Sequence, residues 1–207
     1  MIVLQWLGKV LWGGFSWILT LVIMIGIGTL LLRSQNWDHW ILVRPPSLPE
    51  GLYVVSDADS LSVGIPVLLC IPGSGGAMAL SRGYVTTTWM NRLRCAEDEA
   101  PMIKMLAALP GDHVLVEPHR VQIDQRSWIK VPMANEDSNG RQLKPALGNF
   151  QLTSDECYAL NLWSEKSFDS RYFGPFPCPH GRIQTALPMD AHMAQAVDSL
   201  GKLLRGE

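Results

Sequence analysis

Charge is missing where the chain begins. From Val10 to Leu32 run 23 residues without an acidic or basic side chain, and no acid occurs before Asp38. That excludes an ordinary solvent-facing segment. As a helix rising about 1.5 Å per residue the run reaches roughly 35 Å, against a bilayer hydrocarbon core of about 30 Å. A cleavable signal peptide has a shorter apolar region, about 7 to 15 residues, and ends at a small-x-small site. Arg33-Ser34-Gln35-Asn36 offers no such site. The expected organisation is a tail over residues 1–9, a retained transmembrane anchor over 10–32, a link over 33–44 and a globular domain over 45–207. The N-terminal amine and Lys9 face Arg33 and Arg44 across the span, so charge does not set its orientation.

Other absences narrow the function. There is no surplus of base: the first 33 residues hold two of the 17 basic residues, leaving 15 against 19 acidic ones, which gives no footing for nucleic-acid binding. Cysteine is sparse. Cys70, Cys95, Cys157 and Cys178 show no CxxC spacing, and the five histidines are scattered, so no zinc signature exists and neither metal nor cofactor is expected. The even count permits two disulfides, with three possible connectivities, or ordinary buried thiols. Pro72-Gly73-Ser74-Gly75-Gly76 lacks the Gly-Lys-Ser/Thr of a P-loop and the Gly-x-Ser-x-Gly of a nucleophile elbow, and reads as a flexible loop.

What is present reads as short strands. Leu52–Val55, Val67–Ile71, Ile103–Leu109 and Tyr158–Leu162 are brief apolar runs stopped by proline, glycine or polar residues. Val114–Val116 and Arg120–Ile123 flank Pro118-His119 as a hairpin would, and Asn135–Gly140 is a polar turn. The pattern predicts a mainly β domain. The tail differs: Met193, Val197, Leu200 and Leu204 recur at helical spacing after a cap at Asp190, giving a short amphipathic helix for the domain or the membrane surface. Trp37 and Trp40 beside the span suit either the headgroup level or packing on the domain.

Three segments carry candidate chemistry. In PPSLPEGLYVV, residues 45–55, Ser47 sits in a turn fenced by Pro46 and Pro49. In PMIKMLAALPGD, residues 101–112, Lys104 is the only charge between Glu99 and Asp112. It reads either as a lysine snorkelling from a strand or as a desolvated amine kept neutral to act as a base. In SFDSRYFGPFP, residues 167–177, Ser167, Asp169 and Arg171 share one side of an extended segment, where acid and base can pair.

Taken together, Ser-x-Pro-x-Gly-x-Tyr, Lys-x-x-x-Ala-Leu-Pro-Gly-Asp and Ser-Phe-Asp-Ser-Arg-Tyr-Phe-Gly-Pro resemble the signal peptidase I family over residues 45–188. The resemblance is closest to its conjugal-transfer branch, the TraF-type pilin-maturation peptidases. It implies a signal-peptidase-like β domain behind a single-pass anchor in the bacterial inner membrane, facing the periplasm. It also implies Ser47 as nucleophile, Lys104 as general base, Ser167 orienting the amine, and Asp169 with Arg171 bracing the site. The implied partners are a pilin or other translocated precursor, the lipid bilayer and components of a conjugation or secretion channel. Rival readings are a housekeeping signal peptidase and a non-catalytic assembly subunit. Pro45 and Met105 depart from general signal peptidases, which often have a serine and an arginine there.

Overall fold

The computed structural model describes residues 17–30, 40–43, 48–57, 60–85, 95–96, 98–126, 129–130, 133–162, 164, 166–178 and 183–207. It divides into two compact units, Met1–Asp38 and His39–Glu207. In the first, residues 17–30 form helix α1, and its large side chains from Trp17 to Leu30 are mostly exposed. These 14 residues lie within the expected span of 10–32, whose two ends fall outside the described residues. No helix among the described residues is long and apolar enough to cross a membrane.

The second unit is mainly β with short helices. Its strands are β1 (Trp40–Val43), β2 (Gly51–Asp57), β3 (Pro66–Ile71), β4 (Ala100–Ala108), β5 (His113–Glu117), β6 (Arg120–Ile123), β7 (Ile129–Lys130), β8 (Gly148–Gln151), β9 (Glu156–Leu160), β10 (Phe176–Pro177) and β11 (Ile183–Pro188). Its helices are α2 (Gly73–Ser81), α3 (Ser170–Phe173) and α4 (Ala191–Arg205). Seven strands pair in the order β1-β2-β11-β3-β4-β9-β10, and four more in the order β7-β6-β5-β8. The pairings are antiparallel.

The apolar runs become the middle of the larger sheet. All six residues of β3 are buried, because clusters of apolar side chains cover both faces. Val67, Leu69 and Ile71 join Met102 and Leu106 on one face, while Leu68 joins Met105 and Ala107 on the other. A strand buried on both sides needs a continuous apolar run, and this one has it. At the end of β4 the pairing with β9 slips between Leu106 and Ala108, a bulge that locally re-aims the strand. The tail helix forms as the periodicity indicates. The Asp190 carboxylate accepts the His192 N–H at 2.8 Å, and Val197 and Leu204 are buried.

Two local readings change. Trp40–Val43, within the stretch read as a link, pairs with β2 at the sheet edge. Gly73–Gly76, read as a flexible loop, opens α2. The glycines are there for contact: a Cβ on Gly76 would collide with the Ile71 carbonyl oxygen, and one on Gly75 would meet Phe173 Cβ at 2.6 Å. They let α2 lie against the end of β3 and against α3. Gly76→Ala is therefore expected to cost about 2 kcal/mol of stability, since the obstacle is rigid backbone. A urea denaturation midpoint lowered accordingly is the check, and an unchanged midpoint would mean the helix shifts freely.

Candidate active site

Lys104 lies in the middle of β4, opposite Val67 of β3 and on the side of the sheet that carries Met102 and Leu106. It is 3% exposed, so it does not snorkel. Its Nζ donates to Ser167 Oγ at 2.9 Å. Burial pushes the amine down from its ordinary value, Asp169 pulls it back and Arg171 lowers it again, leaving it at about 8. An amine at that value carries a large neutral fraction at mildly alkaline pH, and a neutral amine can accept a proton.

The segment that supplies Ser167 is built around a buried ion pair. Asp169 caps α3, accepting the Arg171 backbone N–H on Oδ1 at 3.1 Å. Arg171 returns a bidentate fork, Nε to Oδ1 and Nη2 to Oδ2, both at 2.8 Å. Asp169 Oδ2 also accepts the Asn161 N–H at 2.9 Å, tying the segment to the end of β9. Arg171 Nη2 reaches back to the Ser167 carbonyl at 3.2 Å. Asp169 and Arg171 are both fully buried, where a pair holds only with such complete hydrogen bonding. With both carboxylate oxygens so engaged, Asp169 serves the loop first. Its field still reaches the lysine.

Phe168 anchors the same segment in apolar surroundings, with ring centroids 5.1 Å from Tyr84, 5.9 Å from Tyr172 and 5.6 Å from Phe173. Ser170 Oγ accepts the Ala159 N–H at 3.1 Å. Ser167 is thus held by the residues that follow it, and its own N–H donates to the Ser164 carbonyl at 3.2 Å.

Of the five candidate residues, the structure brings together Lys104, Ser167, Asp169 and Arg171, while Ser47 lies outside the described residues. Leu48, next to it, is fully buried. The acid and base do pair, but across a helix cap and not along an extended strand. Sequence reasoning missed Asn161 and Ser170 as tethers; neither has a pattern to mark it. Tyr158, legible in the sequence only as the start of a strand, lies on β9. Its hydroxyl is buried and has no hydrogen-bond partner among the described residues, and burial together with the Asp169 charge raises it well above the usual phenol range.

The cysteines form two disulfides, Cys70–Cys95 and Cys157–Cys178. Cys70, Cys95 and Glu99 cluster closely enough to suggest a metal site. Sulfurs bonded to each other offer no thiolate to a cation, so the cluster is not one.

Residues 14–184 match the family model described as signal peptidase, peptidase S26. The chain is 36% identical over 146 residues to the conjugal transfer protein TraF of Agrobacterium tumefaciens, covering 70% of this chain and 78% of that one. It is 30% identical over 157 residues to a plasmid transfer protein TraF of Escherichia coli, covering 74% and 85%. The conjugal transfer protein TraF of Agrobacterium fabrum is 32% identical over 134 residues, covering 64% and 72%. No solved structure matches.

Proposed function

The chain belongs to the signal peptidase family, peptidase S26, and on that premise we propose that it is a membrane-anchored serine endopeptidase working through a Ser47–Lys104 dyad. The observation that carries the reading is Lys104: a buried amine, lowered to about 8, held by a serine whose own segment is braced by a buried ion pair. A surface lysine needs none of this. Lys104 Nζ takes the Ser47 hydroxyl proton as Oγ attacks a peptide carbonyl, then gives that proton to the departing amine, leaving an acyl-enzyme. Ser167 keeps the amine aimed. Water then releases a linear product, or an amine of the same substrate closes it into a ring.

The substrate we propose is a pilin precursor processed for conjugative transfer, because the similar proteins named above are conjugal or plasmid transfer proteins. Two disulfides in the domain support an oxidising compartment, hence the periplasmic side of the bacterial inner membrane, with residues 10–32 as the single-pass anchor. Conjugation components are proposed partners. A transfer assay separates the rivals: Ser47→Ala should leave a deletion strain without transfer, whereas full transfer would favour a non-catalytic subunit. Rescue of a strain depleted of its resident signal peptidase would favour the housekeeping role.

The base must be neutral, which sets the pH dependence. Below about 8 the cleavage rate is expected to rise about tenfold per pH unit and then level off as Lys104 loses its proton. A stopped assay on purified precursor checks this. A rate that is flat from pH 6 to 9 would remove the lysine from the mechanism.

A further inference from the structure

The Cys157–Cys178 disulfide closes the loop that carries Ser167, Asp169 and Arg171, its ends separated by 21 residues. Cys157 lies on β9, paired with Phe176 of β10, and the Cys178 N–H donates to the Asp155 carbonyl at 2.9 Å. Both cysteines are buried and share one apolar cluster with Phe168, the residue beside Ser167, and with Met102 and Leu106, which flank Lys104. The two-residue strand β10 is the outermost of the sheet, and a pairing that short holds little by itself. The other disulfide, Cys70–Cys95, spans a comparable 25 residues but encloses none of the three site residues.

We propose that the Cys157–Cys178 disulfide is a positioning element for the lysine base: it clamps the 158–177 loop so that Ser167 meets the Lys104 amine, and the site is complete only once this bond has formed. The proposal rests on Lys104 being the base. Bond formation removes two electrons and two protons from the paired thiols, passed to an acceptor disulfide of the oxidising compartment. The enzyme would therefore be inactive before its domain reaches that compartment. With the bond open, the loop loosens and water reaches the amine. Among the described residues, the charged groups acting on that amine include Asp169 and Arg171, at the start of α3. Opposite it β3 places apolar Val67. Loss of burial is thus the main change, and it moves the amine upward toward the ordinary lysine value.

The test is a 13C NMR titration of the Lys104 Cε in the whole chain in detergent micelles, assigned with Lys104→Arg. It compares wild type with the Cys157→Ala/Cys178→Ala and Cys70→Ala/Cys95→Ala double variants. Wild type is expected to titrate near 8. The Cys157→Ala/Cys178→Ala variant should move upward by about one unit or more, and the Cys70→Ala/Cys95→Ala variant should stay with wild type. Coincident midpoints in all three would overturn the proposal, as would an equal shift in both variants, which marks a merely structural role. Should the first variant fail to fold by circular dichroism, wild type is reduced in place with a phosphine and water, which yields two thiols and the phosphine oxide. The opened pair is identified by mass, and the titration is read again with the same two outcomes. A wild-type midpoint near the ordinary lysine value would instead count against Lys104 as base, a failure distinct from that of the clamp.

Discussion

Replacing Lys104 with methionine is expected to abolish precursor processing, by about 10³-fold or more, while making the folded domain more stable at neutral pH. The opposite signs follow from one cause. The fold lowers the amine from 10.5 to about 8, so between those values the unfolded chain binds more protons than the folded one. Stability therefore rises with pH across that window; below about 8 both states are protonated and the full cost of burying the charge is present. A shift of this size corresponds to about 3 kcal/mol. Methionine fits among Met102 and Leu106 and carries no charge, but it leaves the Ser167 hydroxyl without its donor, at a cost of about 1 kcal/mol. The net gain is about 1 to 2 kcal/mol at pH 7, and the rise in stability from pH 8 to 10.5 should vanish. Urea denaturation of both proteins at pH 7 and 10 measures it. A lysine with a purely structural role would give the reverse, a destabilised variant.

The second large effect belongs to Arg171. Arg171→Ala leaves Asp169 buried at 0% exposure with its fork of donors removed, and stranding one charge of a buried pair costs about 3 to 5 kcal/mol. Against a typical total of about 5 to 15 kcal/mol, that is a large part of the domain's stability. The lysine responds as well. Asp169 raises the Lys104 amine and Arg171 lowers it, so without Arg171 the amine moves up and the acid limb of the pH-rate profile moves up with it. Asp169→Asn should move that limb the other way, despite also destabilising the fold. Thermal melts with pH-rate profiles of the two variants check both signs. Limbs that shift together would mean the pair acts on the lysine through geometry and not through charge.

How much of this was legible in the sequence depends on the kind of residue. The middle strands were readable because burial on both faces demands unbroken apolar runs, as in Val67–Ile71, and α4 because its buried positions recur at helical spacing. The sheet edges were not. Trp40–Val43 alternates over only four residues, and Phe176–Pro177 is two residues long, both set by the neighbouring strand. In α2 the glycines looked like flexibility because a sequence does not reveal what lies against them. Lys104 stood out as a lone charge in an apolar run, yet its bond to Ser167 spans 63 residues. No local pattern encodes that distance; only the family resemblance pointed to it. The disulfide pairing was likewise one of three until the strands brought Cys157 beside Cys178.

The most direct test of the dyad is the intact mass of a pilin precursor co-expressed with wild type, with Ser47→Ala and with Lys104→Ala. Processing by wild type alone is the predicted result, and a product lighter than the linear form by about one water would identify ring closure as the second step. Equal processing in all three cultures would contradict the dyad and assign the cleavage to another protease.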